Sequence, residues 1–231
     1  MLFRQLFDPE SSTFTYLIAD PETREAALID PVREQIDRDL SLLRELGLRL
    51  VYVLDTHVHA DHITGADALR TLSGAKTVAG IRSAPCADLH VAHGDQLRLG
   101  ALTITVLETP GHTDDSVSYL LSDRVFTGDA LFVRGTGRTD FQNGNPEALY
   151  DSLTKVLFAL PDEILVYPGH DYKGHEVSTI GEERRFNPRV GGGKTREQFV
   201  ALMSSLHLPP PKKLNTAVPA NRSCGRVSQE S

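Results

Sequence analysis

The stretch that decides the fold is Thr56-His57-Val58-His59-Ala60-Asp61-His62, in which three histidines and an aspartate directly follow an apolar run over residues 50–54. The run is typical of a buried strand, so the cluster lies where a strand ends and a loop begins. In an extended segment, alternate side chains point the same way, so His57, His59 and Asp61 can converge on one ion. Imidazole and carboxylate groups bind iron, zinc and manganese. The stretch predicts a metal site; the alternative is a polar loop with chance histidines.

Three further segments repeat this arrangement of a strand followed by a glycine and a candidate ligand. They contain Gly111-His112, Gly128-Asp129 and Gly169-His170, each directly after a predicted strand. Glycine allows the backbone to turn sharply and a ligand to approach closely. Because ligands at different strand ends converge at one edge of a sheet, the four segments together predict one metal centre.

Composition places the chain among ordinary globular proteins. It has 231 residues, 40% of them hydrophobic and 24% charged, and a net charge of −7. The negative charge and the absence of a basic stripe argue against a nucleic-acid partner and against an anionic membrane surface. No apolar run approaches the roughly 20 residues of a membrane helix, and the N-terminus lacks the pattern of a signal peptide.

The cysteine content suggests a reducing compartment. Cys86 and Cys224 are the two cysteines of the chain, and neither has a CxxC context. Two cysteines cannot form a disulfide framework, so we expect reduced thiols in a cytoplasmic protein.

The order of predicted elements favours an α/β fold. Short strands come first, followed by a helix, a strand, a second helix, two hairpins, a long helix over residues 146–160, a strand and final helices over residues 177–185 and 195–204. This order fits an α/β domain with two sheets and outer helices. The chain divides into a catalytic domain over residues 1–207 and a proline-rich, extended strap and tail over residues 208–231. Residues 227–231 are predicted to be disordered.

The metal-ligand pattern HxHxDH, followed by Gly-His, Gly-Asp and a final Gly-His, resembles the metallo-β-lactamase superfamily over about residues 10–175. The resemblance implies an αββα sandwich, here a single domain with a short C-terminal extension, and a site at the sheet edges. The implied ligand set is His57, His59, Asp61, His62, His112, Asp129 and His170. The superfamily includes hydrolases, dioxygenases and redox proteins, so the fold alone does not define the reaction.

Narrower motifs are similar to those of the persulfide dioxygenases, the ethylmalonic encephalopathy protein family. They are residues 137–142 (GRTDFQ), 167–172 (YPGHDY), 182–189 (EERRFNPR) and 217–221 (AVPAN). The resemblance implies oxidation of glutathione persulfide with O2 to sulfite and glutathione, in the pathway of sulfide detoxification. It also suggests a homodimer, although no surface in the sequence is typical of an interface.

The same resemblance implies one Fe(II) per chain, held by His57, His112 and Asp129. Two histidines and one carboxylate form the facial triad of non-haem iron enzymes, which leaves open positions for substrate and O2. The other four residues of the set are then expected around the metal, or in a second site that is vacant: His59, Asp61, His62 and His170.

The substrate carries two carboxylates, which arginine and hydroxyl groups recognise. Arg138, Tyr172 and Arg189 match positions that the resemblance links to glutathione binding. Alternatives remain for each: a surface ion pair for Arg138, core packing for Tyr172 and a loop or cap for Arg189. Asp171 is expected to orient ligands of the metal; its alternative is a surface acid.

Two rival functions remain open. The first is a glyoxalase II-like hydrolase of glutathione thioesters with two metals, which uses the same ligand set. About sixty residues follow the last Gly-His, too few for the helical substrate domain of that class. The second rival is a non-catalytic binding protein with this fold, but such proteins usually lose metal ligands, and the chain lacks none.

Overall fold

The computed structural model describes residues 1–226, which form twelve strands and six α-helices. The strands are β1 (Leu2–Asp8), β2 (Thr13–Ala19), β3 (Glu25–Ile29), β4 (Arg49–Leu54), β5 (Lys76–Gly80), β6 (Leu89–Val91), β7 (Gln96–Leu99), β8 (Leu102–Glu108), β9 (Val117–Leu120), β10 (Arg124–Gly128), β11 (Leu165–Pro168) and β12 (Ser178–Thr179). The helices are α1 (Ile36–Glu45), α2 (Ala66–Ser73), α3 (Pro146–Asp151), α4 (Ile180–Phe186), α5 (Arg196–Ser204) and α6 (Leu214–Asn221). The predicted disorder of residues 227–231 lies outside the described residues.

The first sheet has the order β1-β2-β3-β4-β5-β6. The strands β1, β2 and β3 pair with their neighbours in antiparallel fashion. The pairs β3–β4, β4–β5 and β5–β6 are parallel. The last residues of β3 and β4, Ile29 and Leu54, are register partners. The residues that follow these two strands therefore leave the sheet side by side.

The second sheet has the order β12-β11-β10-β9-β8-β7. In this sheet β10 and β11 are parallel, and their carboxyl ends meet at Gly128 and Pro168. The residues after β10 and β11 therefore also start from one edge. The prediction of two sheets in an α/β fold is confirmed.

The chain forms two compact units, each with a hydrophobic core of its own. The first comprises Met1–Val91, Gln96–Ile104 and residues 210–226; the second comprises Ala92–Asp95 and Thr105–Pro209. In the first unit, buried leucines and alanines of β2, β3, α1 and α2 pack together with Cys224. In the second, the core lies among β10, β11 and the helices α3, α4 and α5. The predicted boundary between residues 207 and 208 stays a prediction.

The helix predicted over residues 146–160 consists of three successive helical segments of different type, α, π and 3₁₀. Asn145 caps α3 by accepting a hydrogen bond from the Ala148 N–H, and a π-helix over Ser152–Val156 and a 3₁₀ turn follow. Leu149, Leu153 and Leu157 are fully buried. Their four-residue spacing exceeds the 3.6 residues of an α-turn, and the wider π-turn keeps them on one face.

The sequence predicted an extended C-terminal strap, but part of this segment is helical. Residues 209–211, the three prolines, are not helical, but α6 follows them. Pro219 lies inside this helix, which is why its sequence does not look helical. Ala217 and Ala220 are buried, and this burial supplies the stabilisation that helix propensity lacks.

The prediction of reduced thiols is wrong. Cys86 and Cys224 form a disulfide with a Cα–Cα distance of 6.0 Å, across a sequence separation of 138 residues. So distant a pairing leaves no local signal in the sequence, since it depends on where the C-terminal segment packs. Closing a loop of this size stabilises a fold by about 5 kcal/mol in the chain-entropy account.

No helix in the part of the chain that the structure describes is both long enough and apolar enough to cross a bilayer.

Asp39 makes stability depend on pH. Its carboxylate is buried in α1 and accepts a hydrogen bond from Arg38 Nε at 2.8 Å. Burial raises the pKa of Asp39 to about 6, and the attraction of Arg38 offsets only part of this effect. Because the folded state holds the proton more tightly, stability is lost as the pH rises from about 4 to about 6.

We therefore expect the Asp39→Asn variant to gain stability relative to the unchanged protein as the pH rises. The unfolding free energy of the variant minus that of the unchanged protein should increase by about 2–3 kcal/mol between about pH 4.5 and pH 7.5. Urea denaturation at both pH values measures this difference, with exposed Asp37→Asn as the matched control. A difference that is independent of pH would contradict the assignment.

Candidate metal centre and substrate residues

The histidine loop, residues 56–65, leaves the carboxyl end of β4 in the first unit. Its three histidines are almost fully buried, with 2%, 1% and 0% exposure for His57, His59 and His62. Ligand atoms of His59, Asp61 and His62 lie within 4.8 Å of one another. Buried imidazoles beside carboxylates cost free energy unless they are paired or bind a cation. The loop therefore has the composition and spacing of a metal-binding element.

Asp30 holds this loop, and sequence analysis missed it. Its buried carboxylate accepts hydrogen bonds from the Thr56 N–H at 2.7 Å and the Thr56 hydroxyl at 2.8 Å, and lies 3.1 Å from His59 Nε2. The sequence Asp30-Pro31 is typical of a turn. The available signal was its position directly after β3, the parallel neighbour of β4. Its φ of 50° lies in the left-handed region, which Asp tolerates better than most residues.

Hydrogen bonds to Asp30 also orient two imidazoles. Since the Thr56 hydroxyl has one proton and donates it to Asp30, His57 Nδ1, 3.0 Å from Thr56 Oγ1, must be the donor in that contact. His57 would then bind a cation through Nε2. His59 donates through Nε2, and its buried Nδ1 has no hydrogen-bond partner within residues 1–226. The two rings therefore offer different nitrogens.

The charge around His59 favours a cation. Burial lowers the pKa of this imidazole, but the carboxylates of Asp30, Asp61 and Asp55 outweigh burial and raise the pKa to about 9. The negative potential that stabilises a proton on His59 also stabilises a metal ion, and the two compete for the ring nitrogen.

In the second unit, the structure brings together His112, Asp129 and His170. His112 Nε2 lies 3.6 Å from Asp129 Oδ2, and His170 Nδ1 lies 2.6 Å from Asp129 Oδ1. Asp129 and His170 follow the parallel strands β10 and β11, so their proximity comes directly from the sheet. A Cβ on Gly169 would lie 2.6 Å from Asp129 Oδ1, which explains why glycine precedes this histidine.

His112 is oriented by main chain rather than by a carboxylate. Its Nδ1 donates to the carbonyl of Arg138 at 2.7 Å, which leaves Nε2 as the nitrogen that faces Asp129. This contact resembles the outer hydrogen bonds that fix metal-bound imidazoles. Gly111 has a φ of 137°, and a Cβ there would overlap the Leu149 backbone at 2.3 Å. The turn before His112 therefore requires glycine.

The donor atoms fit a divalent first-row metal. Neutral imidazole nitrogens and a carboxylate oxygen are presented by side chains whose other polar atoms are hydrogen-bonded within the protein. Each unit, taken by itself, has such donors: His57 lies in the first, and His112 and Asp129 lie in the second.

The guanidinium of Arg138 makes an ion pair and hydrogen bonds within the protein. It makes a two-pronged ion pair with Asp140, at 2.6 and 2.7 Å, and donates to the carbonyls of Leu208 and Pro209 at 3.0 and 2.6 Å. Hydrogen bonding to Arg138 lowers the pKa of Asp140. A substrate carboxylate would have to replace some of these partners, or Arg138 would act by holding residues 208 and 209.

The other predicted substrate residues differ in exposure. Tyr172 is 68% exposed, and its ring is stacked on His170 with a centroid distance of 6.0 Å, so core packing is excluded as its role. Arg189 donates to the Thr136 carbonyl at 2.6 Å, and burial lowers the pKa of its guanidinium. Asp171 accepts hydrogen bonds from the N–H groups of Lys173 and His175, which stabilise its own loop.

Comparisons with known proteins agree on one family. The model of the metallo-beta-lactamase superfamily matches residues 8–85 and 80–170. The human protein "Persulfide dioxygenase ETHE1, mitochondrial" is 50% identical over 97% of this chain and 89% of its own length. Among solved structures, ETHE1 from Myxococcus xanthus superimposes with a TM-score of 0.97 and 65% identity, covering 98% of this chain and 100% of that one. A metallo-beta-lactamase from Staphylococcus aureus gives a TM-score of 0.88 at 28% identity, with 96% and 71% coverage.

Removal of the Asp30 carboxylate should release the histidine loop. We expect Asp30→Ala to lower the unfolding free energy by about 3–5 kcal/mol, because the Thr56 N–H and His59 Nε2 are left buried without an acceptor. We also expect weaker metal binding, by about 10–100-fold. Thermal or urea unfolding and metal analysis measure the two effects, with exposed Asp37→Ala as control. Wild-type stability and metal content in the Asp30 variant would contradict this role.

Proposed function

The chain belongs to the metallo-β-lactamase superfamily and, within it, to the persulfide dioxygenases, and on this premise we propose that it oxidises glutathione persulfide with O2 to sulfite and glutathione. The observation that carries the proposal is the 50% identity to a persulfide dioxygenase over 97% of the chain. Because this match is almost end to end, it includes the region after the last ligand, where a glyoxalase II-like enzyme would carry its substrate domain.

The proposed cofactor is one Fe(II), held by His57, His112 and Asp129. When bound, iron supplies the one-electron chemistry that activation of O2 needs and that zinc lacks. Support comes from the nitrogen that each imidazole has available: hydrogen bonds to Thr56 and to the Arg138 carbonyl occupy Nδ1 of His57 and of His112. With Nδ1 hydrogen-bonded in this way, each ring would bind the metal through Nε2.

His170 is proposed to orient Asp129 rather than to bind the iron. Its Nδ1–H donates to Asp129 Oδ1, and the other carboxylate oxygen, Oδ2, faces His112 Nε2. A carboxylate held in this way offers one oxygen to a metal. His59, Asp61 and His62 are proposed to surround the iron site without completing a second one.

The rival functions are not favoured. The cluster of His59, Asp61 and His62 retains the donors that a dinuclear, glyoxalase II-like hydrolase would need. The high identity to persulfide dioxygenases nevertheless favours the oxidation. A non-catalytic binding protein would have no need for so complete a set of oriented imidazoles.

For the substrate, we propose that Arg138, Tyr172 and Arg189 bind glutathione, and that Asp171 orients the loop that carries Tyr172. Tyr172 supports this role best, because its exposed ring lies against His170. Location in the cytoplasm and a homodimeric state stay predictions. The argument for the cytoplasm from reduced thiols no longer applies, because the cysteines are bonded.

The test of the function is O2 consumption by the Fe(II)-loaded protein after addition of glutathione persulfide. We expect uptake with formation of sulfite, and we expect His112→Ala and Asp129→Ala to abolish both iron binding and uptake. Exposed His207→Ala is the matched control and should retain both. If the iron-loaded protein consumes no O2 but hydrolyses a glutathione thioester, the proposed dioxygenase function is wrong and the hydrolase function takes its place.

A second prediction concerns Arg138. If its guanidinium binds a substrate carboxylate, Arg138→Ala should raise KM for glutathione persulfide by about 10–100-fold, the loss of a charged hydrogen bond, with iron content unchanged. Arg124→Ala removes a comparable two-pronged pair with Asp123 and serves as control. An unchanged KM together with lower thermal stability would show that Arg138 only anchors residues 208 and 209.

A further inference from the structure

The side chain of Asn221, the last residue of α6, lies against the histidine loop. It is 3% exposed and lies 157 to 162 residues further along the chain than its hydrogen-bond partners. Its Oδ1 accepts a hydrogen bond from the Thr64 N–H at 2.9 Å, and its Nδ2 donates to the carbonyls of His59 at 2.9 Å and His62 at 2.8 Å. All four residues belong to the first unit.

These contacts engage the amide oxygen and both amide hydrogens of Asn221, a combination that few side chains could repeat. A carboxamide has one acceptor oxygen and two N–H donors, and here each finds a main-chain partner of opposite character. Aspartate would place an acceptor against the carbonyls of His59 and His62. Buried polar contacts of this kind specify one backbone conformation, because an unpaired carbonyl or N–H group costs free energy.

The segment that presents Asn221 is itself anchored. Three residues further on, Cys224 is bonded to Cys86, and the Cys224 carbonyl accepts a hydrogen bond from the Asp67 N–H at 3.0 Å. Gly225 packs so closely that an added Cβ would lie 2.1 Å from the Thr64 carbonyl oxygen. The amide is therefore held at a fixed place relative to the loop.

We propose that Asn221 is a positioning residue for the metal centre: it holds the backbone of the histidine loop in the conformation that presents the imidazoles to a divalent cation. The C-terminal segment thereby sets the affinity for metal without contributing a ligand. This inference rests on the proposed function only in requiring that the loop take part in binding a divalent metal. Residues 217–221 carried the family resemblance in sequence but received no role there.

The test compares the affinity of the metal-free protein for Co(II), measured by competition with a chelator, in three forms: unchanged, Asn221→Asp and Asn215→Asp. Asn215 is exposed on the same helix and controls for the added charge. We expect Asn221→Asp to weaken Co(II) binding by about 10–100-fold and to change the visible Co(II) spectrum, and Asn215→Asp to change neither. Asn221→Ser is the second variant if the aspartate variant does not fold.

Unfolding of the metal-free variants separates positioning from a purely structural role. If Asn221 only stabilises the fold, its variants lose thermal stability, but the folded protein keeps the affinity and the spectrum of bound Co(II), and the inference is overturned. If the unchanged protein binds neither Co(II) nor Fe(II), the proposed function fails together with this inference. If the unchanged protein carries out the metal-dependent oxidation but the Asn221 variants bind Co(II) as tightly as it does, only the inference about Asn221 is overturned.

Discussion

The carboxylate of Asp30 is the contact on which the histidine loop depends. It is 1% exposed, and it accepts both hydrogen bonds that Thr56 can donate and faces the ring of His59. Through the Thr56 hydroxyl it also determines which nitrogen His57 presents. Burial of three imidazoles costs free energy, and Asp30 offsets the part of this cost that falls on His59. Asp30 lets the loop adopt its binding conformation in advance, and an ion then needs little reorganisation to bind.

Parallel strand pairs position the ligands in both units. In the first sheet, β3 and β4 end side by side and bring Asp30 to the loop; in the second, β10 and β11 end side by side and bring Asp129 to His170. Both sheets are mixed: β3 and β4 lie between antiparallel β2 and parallel β5, and β10 and β11 lie between antiparallel β9 and β12. The carboxyl ends of parallel strands are where α/β proteins collect their functional side chains, because the chain leaves the sheet there without covering it.

The groups beyond the ligands are held as firmly as the ligands. The Arg138 carbonyl orients His112, while its guanidinium is engaged by Asp140 and by residues 208 and 209. The C-terminal segment holds the histidine loop through Asn221 and is closed by the disulfide. Residues that matched the family only as sequence motifs thus act within the fold as connections between the metal-binding loops and distant parts of their own unit.

The fold class, the order of most elements and the candidate ligands can be predicted from the sequence, because apolar runs that end in Gly-His or Gly-Asp are local patterns. The sequence could not place Asp30, whose Asp-Pro context is that of a turn, and it missed α6, whose proline opposes a helix. The pairing of Cys86 with Cys224, the partners of Arg138 and the contacts of Asn221 become visible in the folded chain alone. These contacts join residues far apart in the chain, and their free energy comes from burial and hydrogen bonds that exist only after the strands and segments have packed.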